Sequence, residues 1–435
     1  MLIRELKTTT ALILSLCALA CGPGDMRTET PALHEPARSA PVSPENWIAG
    51  NDPAIRASSI RSWTVTGAIA SPVDARESPT IDAWSQALFD DAGTYPIKPP
   101  VQTVALQCYA RQQGEFFTRF VGLPSAPLRR FMAARCGVVG DAPTVQHRIV
   151  PGNLDLESAR AARSELVRAL GQTPDGWFVG YHRSSTAHAL LHTVVYARPT
   201  IGVDSIVATS DPYNRRVTIT GTLPPGQKKL DAITAYGRLS WKHCRYRQPR
   251  SRRSFEIRCH VDPSAPYTIV EAGYAHKRAG SLQARSTFFL FIGSNPDNRT
   301  YTVPRVVGER VPKPISRGGL LHAINLARVE SGSRRVTEEP IYSLAAQSLW
   351  DPEGTPFADE GLAALQYYSL APGHRTPSAI AVASSASSTS SGDLVDELLT
   401  APRFRAFLLG PSYHLALTTR VMPGETSTQT VLLAY

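Results

Sequence analysis

A basic run over residues 242–258 has the clearest capacity for binding chemistry. Seven basic residues stand there against one acidic residue, Glu256, a balance of +6. Aromatic residues lie beside or between them, at Trp241, Tyr246 and Phe255. Guanidinium groups beside aromatic rings suit a nucleic acid, anionic lipid headgroups or an acidic polysaccharide, and a solvated loop is the alternative. The seven basic residues are Lys242, Arg245, Arg247, Arg250, Arg252, Arg253 and Arg258.

The densest group of histidines is His182, His188 and His192. His188 and His192 have the i, i+4 spacing of two metal ligands on a helix, but Ala189 stands where a catalytic Glu would lie. The residues that follow, TVVYA, favour a strand, and all three histidines would then share one face of it. We therefore predict no metal site, and expect surface or hydrogen-bonded core histidines.

No pattern for catalysis accompanies these groups. Residues 410–414 (GPSYH) lack the elbow motif of a serine nucleophile. Carboxylate pairs such as Glu338 and Glu339 are sequence neighbours, and adjacent residues do not face each other. The glycine motifs that bind phosphates or dinucleotides are absent. The sequence thus predicts no catalytic residue and no cofactor.

The N-terminal residues carry an export pattern. Arg4 and Lys7 form a short basic region, and residues 8–20 (TTTALILSLCALA) are mostly apolar and uncharged. This is the layout of a secretory signal peptide over residues 1–20. The apolar run is shorter than the roughly 20 residues of a membrane-spanning helix, and no later stretch is long enough either.

The apolar run ends in Ala18-Leu19-Ala20-Cys21-Gly22, which resembles a bacterial lipoprotein signal. The resemblance implies that Cys21 is acylated, with palmitate among its chains, and that these chains hold the mature protein at a membrane. Gly22 differs from an Asp-type inner-membrane retention signal, so the resemblance implies the outer membrane or cell surface of a bacterium. An ordinary cleaved signal with an incidental cysteine is the alternative.

Four of the six cysteines remain once Cys17 is cleaved off and Cys21 is acylated. An even number in an oxidising compartment predicts disulfides, and four cysteines allow three pairings. Sequence proximity favours Cys108 with Cys136, and Cys244 with Cys259. A zinc site is the alternative, but no Cys-x-x-Cys pair supports it.

Composition divides the mature chain into four segments. Residues 21–80 are rich in Pro, Ala, Ser, Glu and Arg, which is typical of a flexible tether. Residues 81–205 mix amphipathic helices with strand-like runs and predict a mixed α/β region. Short β-like runs between turn residues predict an antiparallel β-sandwich over residues 206–312. Residues 316–435 return to helices followed by strands, so the predicted fold class is multidomain α+β.

The last segment is similar to the CAP superfamily of SCP-like extracellular domains. Its opening helix, LLHAINLARVESG, carries Asn325, Arg328 and Gly332 at the positions of the family motif L-N-x-x-R-x-x-x-G. Near the end, residues 401–409 (APRFRAFLL) lie where the family has S-P-x-H-R-x-x-L-L. The resemblance covers about 115 residues and implies a CAP-like α-β-α module.

The chain departs from the family at the residues that do chemistry. Family members with a cavity tetrad use two His and two acidic residues, and Phe404 occupies the place of the second His. The family's A-E-N stretch has no counterpart, and no His follows Ala345 and Ala346 at the expected place. Metal binding or proton transfer needs imidazole and carboxylate together, so the resemblance implies the fold without that chemistry.

We therefore expect a membrane-anchored, extracytoplasmic protein of the bacterial envelope that binds and does not catalyse. Its expected partners are the membrane, through the acyl chains, and an anionic lipid or polysaccharide. Export separates the chain from the genome, so nucleic acid is not expected, and no protein partner is indicated. A passive envelope scaffold is a third possibility, which predicts a contiguous exposed apolar patch.

An envelope-polymer hydrolase is the alternative function. It requires His322, His374 and either Glu338 or Glu360 to converge with His414 in one cleft. Phe404 and apolar side chains in that cleft would argue against it.

The charge of the chain supports a localised basic surface. Its formal value of +10 falls to +9 when Arg4, Lys7 and Glu5 leave with the signal. The basic run holds +6 of this, so the rest of the mature chain is only weakly basic. The 19% charged and 42% hydrophobic content excludes a disordered polyampholyte, a coiled coil and a collagen.

Overall fold

The computed structural model shows a mixed α+β protein, as expected. It describes residues 57, 60–67, 71–72, 75, 78, 83–92, 101–139, 143–151, 156–171, 173, 177–185, 189–198, 201–208, 215–223, 230–247, 253–261, 265–275, 285–293, 298–307, 315–338, 379–385, 390–411, 414–421 and 428–434. The predicted signal peptide, Cys21 and the Ser-rich stretch 386–389 lie outside these residues. Seven helices and eighteen strands occur within them.

The first sheet has the strand order β2-β4-β5-β3. Its strands are β2 (Val101–Gln102), β3 (Thr144–Pro151), β4 (Phe178–Ser185) and β5 (Ala189–Ala197). β5 pairs antiparallel with both β3 and β4, and β2 runs parallel to β4. Helices α1 (Ala83–Ala92) and α4 (Leu156–Gly171) share an apolar cluster with one face of this sheet, which includes Leu88, Leu166 and Val194.

Helix α2 (Val104–Phe120) crosses the opposite face of the same sheet. Thr103 caps it, since its hydroxyl accepts a hydrogen bond from the backbone N–H of Leu106 at 3.2 Å. The helix lies close to β4 because two positions lack side chains. A Cβ at Gly180 would lie 2.1 Å from the Leu106 carbonyl oxygen, and one at Gly114 would lie 2.8 Å from the His182 ring. Helix α3 (Ala126–Arg135) follows α2 and is joined to it by the Cys108–Cys136 disulfide.

Two four-stranded antiparallel sheets share the next core. One has the order β10-β11-β7-β6, and the other has the order β13-β12-β8-β9. Buried side chains from both sheets meet between them, including Val217, Ile257, Ala232 and Val270. The strands are β6 (Gly202–Ala208), β7 (Arg216–Thr222), β8 (Leu230–Tyr236), β9 (Ser240–His243), β10 (Arg245–Arg247), β11 (Ser254–His260), β12 (Tyr267–Ala275) and β13 (Arg285–Gly293).

The chain changes sheets at Cys244. β9 pairs with β8 in one sheet, and β10 pairs with β11 in the other. The sequence run AYGRLSWKHCRYR is therefore divided between the two sheets. Cys244 bonds to Cys259 on β11, so the disulfide lies where the chain crosses from one sheet to the other. Both disulfides follow the pairing that sequence proximity favours.

The C-terminal residues form helices and a fourth four-stranded sheet, in the order β15-β17-β18-β16. The helices are α5 (Arg317–Glu330), α6 (Ser391–Leu399) and α7 (Pro402–Leu409). The strands are β15 (Thr337–Glu338), β16 (Ala379–Ser385), β17 (His414–Val421) and β18 (Thr428–Ala434). Pro402 begins α7 and separates it from α6, whose C-cap is Thr400.

A short strand lies inside the segment predicted as a tether. β1 (Ser62–Thr64) pairs antiparallel with β14 (Thr300–Thr302). Trp63 is only 6% exposed and joins the apolar cluster of α2 and α3. The Arg61 guanidinium forms an ion pair with Asp393 on α6. Residues 60–67 thus belong to the folded body.

Helix α7 packs directly on the β12-β8-β9 side of the sandwich. On α7, the Arg403 guanidinium donates to the Asp231 carboxylate at 2.7 Å, and its backbone N–H donates to the Glu271 carboxylate at 3.1 Å. The Asp396 carboxylate on α6 accepts the backbone N–H groups of Val306 and Val307, both at 2.9 Å. These buried polar contacts join the two segments that composition separates.

Candidate functional site: the basic outer face of the sandwich

Three arginines of the basic run share one exposed sheet face, which we call the basic face: Arg245, Arg247 and Arg258. The β10–β11 register places Arg245 opposite Arg258, and Arg247 opposite Glu256. Since residues directly opposite each other point to the same side, these four side chains lie together. The residues between them, Tyr246 and Ile257, pack against the core on the other side.

The local sequence explains this orientation. β11 alternates in burial, with Phe255, Ile257 and Cys259 inside and the residues between them less buried. That period of two is typical of a strand with one face on a core. The Cys244–Cys259 bond joins the two strands at the end of the hairpin opposite its turn. The alternation of apolar residues fixes which face of the hairpin carries the arginine side chains. The disulfide holds the two strands together at one end.

The electrostatics of the basic face are unbalanced. The Arg258 guanidinium pairs with the Glu256 carboxylate at 2.7 Å. Arg245 and Arg247 are exposed, and neither has a carboxylate partner among the residues that the structure describes. Like charges placed opposite each other in a sheet repel, so Arg245 beside Arg258 costs stability. An anion bound to the face would relieve that repulsion.

The remaining basic residues have separate locations. Lys242 is exposed on β9, which belongs to the other sheet. Arg253 lies at the start of β11, where its Nε donates to the Leu223 carbonyl at 3.2 Å. Arg250 and Arg252 lie outside the described residues. Arg216, exposed on β7, stands on the same sheet and was missed because it lies outside the basic run in sequence.

The opposite outer face of the sandwich is covered. Helix α7 packs on β8, β9 and β12, and places Arg403 over Asp231 and Glu271. The two outer faces of the sandwich therefore differ in how they treat charged groups. One buries charged groups against helices, and the other presents arginines to solvent.

The residues of the C-terminal family motif have structural contacts. The Asn325 side-chain amide donates to the Val336 carbonyl at 2.9 Å and accepts the Val336 N–H at 2.8 Å. Arg328 is 2% exposed, and its guanidinium donates to the Arg334 and Leu408 carbonyls. Burial lowers its pKa from the usual value. These two side chains hold the end of α5 to the segments that follow it.

Arg405 is also buried, and its guanidinium bonds to backbone carbonyls of two different segments. It donates to the Leu399 carbonyl at 2.8 Å and to the Ser240 carbonyl at 3.0 Å. Burial lowers the pKa of the Arg405 guanidinium to about 10. The arginine therefore serves the contact between α7 and the sandwich.

The arrangement required for the hydrolase alternative is not present among the described residues. Glu338 forms an ion pair with Arg317, and the His414 ring bonds to the Thr337 hydroxyl at 2.9 Å. His414 is opposite Thr337 in the β15–β17 register, so the neighbouring Glu338 points to the other side of the sheet. His322 is exposed on α5, and Phe404 is buried. His374 and Glu360 lie outside the described residues.

His182 and His192 do not share one face, contrary to the expectation. His182 lies on β4 and His192 on β5, and His188 is outside the described residues. His182 is opposite Thr193, so His192 points to the reverse side of the sheet. There its Nδ1 bonds to the Tyr181 hydroxyl at 2.7 Å. Within the described ranges, no group of three or more His, Cys, Asp or Glu residues could hold a metal ion.

Comparisons with known proteins add little. No protein-family model matches the chain, and no curated protein matches it in sequence. A solved structure, a cysteine-rich secretory protein from Staphylococcus aureus subsp. aureus Mu50, is 12% identical, with a TM-score of 0.23. The alignment covers 62% of this chain and 92% of that one. At this TM-score the likeness carries no argument about fold or activity.

The helices that the structure describes include none long and apolar enough to cross a membrane. Its two disulfides are of the kind that persists in oxidising compartments outside the cytoplasm.

Proposed function

We propose that this protein is a lipid-anchored, extracytoplasmic binding protein that attaches to anionic polysaccharide or lipid headgroups through the basic face. The observation that supports it best is the pair Arg245 and Arg247, exposed on one rigid sheet face without carboxylate partners in the described part of the chain. Guanidinium groups bind carboxylate and phosphate through paired hydrogen bonds. Catalysis forms no part of the proposal.

A charge reversal tests this function. The variant Arg245→Glu with Arg247→Glu should bind polygalacturonate and phosphatidylglycerol-containing vesicles at least about tenfold more weakly, because each arginine near an anionic surface contributes about 1 kcal/mol. Wild-type binding should also weaken as salt is added. Co-sedimentation measures the vesicles, and isothermal calorimetry measures the polymer.

The matched control changes the same charge elsewhere. Arg160 on α4 and Arg335 are exposed and lie in other parts of the fold, so Arg160→Glu with Arg335→Glu should leave binding nearly unchanged. Equal losses in both double variants would mean that net charge alone attracts the anion. Unchanged binding in the first variant would exclude the basic face as the contact.

The proposed anchor has its own test. The lipoprotein-like end of the signal places acyl chains on Cys21, and two such chains give stable membrane attachment. Cys21→Ala should move the protein from the membrane fraction to the soluble one, while Cys17→Ala, within the signal, should not. Membrane association that survives Cys21→Ala would rule out the anchor and leave the basic-face experiment unaffected.

A further inference from the structure

A second candidate site is a cleft of about 630 Å³ between β1, the C-terminal half of α2, and β4. β1 contributes Ser62, Trp63 and Thr64 to its lining. Glu115 and Arg119 come from α2, and Ser184 comes from the end of β4. The volume is typical of a ligand site. The groups that remain unpaired in the cleft indicate what it could bind.

The backbone edge of β1 that faces this cleft is open. The Val303 N–H donates to the Arg61 carbonyl at 2.8 Å, and the Val65 N–H donates to the Arg299 carbonyl at 3.0 Å. Residues 61, 63 and 65 therefore point their backbone groups toward β14. In an antiparallel pair the residues between them point the opposite way, so the N–H and C=O groups of Ser62 and Thr64 point away from β14.

The backbone of Thr66, just beyond β1, shows which way the open edge faces. The Thr66 N–H, on the same side as those of Ser62 and Thr64, reaches the Gln112 side chain of α2 at 3.3 Å. The open edge thus faces α2 across the cleft. β1 has β14 as its only strand neighbour in the described structure, and no other described group bonds to the outward backbone of Ser62 or Thr64.

The cleft also contains a cation without an acidic partner. The Arg119 guanidinium is exposed and lies 5.3 Å from the centre of the Trp63 ring, and within the described ranges it pairs with no carboxylate. Glu115, by contrast, accepts a hydrogen bond from the Thr66 hydroxyl at 2.5 Å and lies 3.7 Å from Arg111. In the cleft, Arg119 is therefore available to pair with a ligand carboxylate, whereas Glu115 already has partners within the protein.

The floor of the cleft is fixed in place. The Trp63 indole N–H donates to the Gln112 side-chain oxygen at 2.9 Å. Phe116 and Phe120 meet the Trp63 ring edge to face, at centroid distances of 5.3 and 6.1 Å. A rigid floor reduces the entropy that binding would cost.

We propose that this cleft binds an extended peptide that carries an acidic side chain. The peptide adds a strand to the open edge of β1, with main-chain hydrogen bonds to Ser62 and Thr64, and its carboxylate pairs with Arg119. Strand addition of this kind uses main-chain bonds for affinity and neighbouring pockets for specificity. Natural sheets protect an open edge with proline, lysine, a bulge or a very short strand; residues 62–64 carry no proline, lysine or bulge, and β1 is three residues long.

Substitutions at Thr64 separate the backbone edge from the side chain. Thr64→Pro removes the outward N–H but no hydrogen bond of the β1–β14 ladder, because that N–H points away from β14. Thr64→Val keeps the N–H and removes the hydroxyl that bonds to the Thr300 hydroxyl at 2.6 Å. Arg119→Gln removes the cation and, at an exposed position, leaves the fold intact. Thermal unfolding checks each variant.

The experiment selects a phage-displayed random heptapeptide library on the full chain, and measures the enriched peptides by fluorescence anisotropy. We expect enrichment of peptides that have an Asp or Glu within a β-branched run. Their affinity should fall at least tenfold in Thr64→Pro and in Arg119→Gln, and should be nearly unchanged in Thr64→Val. Failure to enrich any peptide above the level on Thr64→Pro would overturn the proposal, as would equal affinity for Arg119→Gln and wild type.

Discussion

Two buried histidines of the first sheet, His147 and His192, make the stability of the protein sensitive to acid. Burial lowers the pKa of His147 to about 4, and burial together with the nearby Arg183 and Arg148 guanidinium groups lowers the pKa of His192 to about 4. His147 stacks on Phe117 and bonds to the Thr193 hydroxyl, whereas His192 bonds to Tyr181 on the other face. Both rings are neutral in the folded protein near pH 7.

The first prediction follows from the direction of these shifts. An unfolded histidine titrates near pH 6.5, so between about pH 6.5 and pH 4 the unfolded chain binds protons that the folded chain excludes. The free energy of unfolding should therefore be constant above this window and fall as the pH drops through it. The slope is up to about 1.4 kcal/mol per pH unit for each histidine.

Urea unfolding at several pH values measures this loss. His192→Gln should flatten the dependence, since glutamine does not titrate. His322→Gln, a change at an exposed histidine of α5, should not. A pH profile that is the same in His192→Gln and wild type would contradict the assignment.

At the scale of helices and strands, two glycines determine how closely α2 packs on β4. Neither Gly180 nor Gly114 could carry a Cβ without a clash with the facing element. The contact brings Glu115 and Arg119 of α2 to the side of Ser184, and so forms one wall of the cleft beside β1.

The second prediction compares two glycine substitutions. Gly180→Ala should lower the free energy of unfolding by about 2 kcal/mol, because its Cβ would lie 2.1 Å from a backbone oxygen that cannot move independently. Gly318→Ala on α5, where a Cβ meets nothing within 4 Å, should raise it by about 0.5–1 kcal/mol. Chemical denaturation measures both, and equal effects would show that α2 and β4 are not in rigid contact.

The amphipathic elements were predictable from sequence. The amphipathic helices expected over residues 81–205 include α4, with Leu166 and Leu170 buried, and the β-like runs expected over residues 206–312 include β11. These patterns suffice because each reflects burial of a single face.

Contacts between distant segments were not predictable. β1 is three residues long in a proline-rich segment, too short for periodicity, and its partner β14 is far away in sequence. The shared face predicted for the clustered histidines is wrong for His182 and His192, because they lie on β4 and β5 and point to opposite sides of the sheet. For the basic site, the sequence identified the run of basic residues, but only the register showed that Arg245 and Arg247 share a face with Arg258.

At the scale of the whole molecule, the helix α7 contact makes the C-terminal segment part of the same folding unit as the sandwich. Arg403 and Glu271 are both nearly inaccessible to solvent, with side chains 7% and 3% exposed. A buried carboxylate that loses a cation keeps its desolvation cost without the compensating attraction.

The third prediction concerns this ion pair. Arg403→Gln should lower the free energy of unfolding by about 3 kcal/mol, since it weakens the compensation of Glu271 and Asp231. Arg163→Gln removes the partner of Asp91 at a solvent-exposed pair and should cost less than about 1 kcal/mol. Urea denaturation compares them, and similar losses would show that the α7 contact contributes no more than a surface pair.

The position of β1 has a consequence for the order in which the molecule is made. Synthesis proceeds from the N-terminus, yet Arg61 pairs with Asp393, 332 residues later, and Trp63 completes a cluster that also holds Tyr301. Residues 61–64 emerge early but cannot pair with β14 until residues 300–302 have been made, and the Arg61 ion pair must wait for Asp393. Closing a loop of this length is slow, and it makes the docking of Trp63 a late event of maturation.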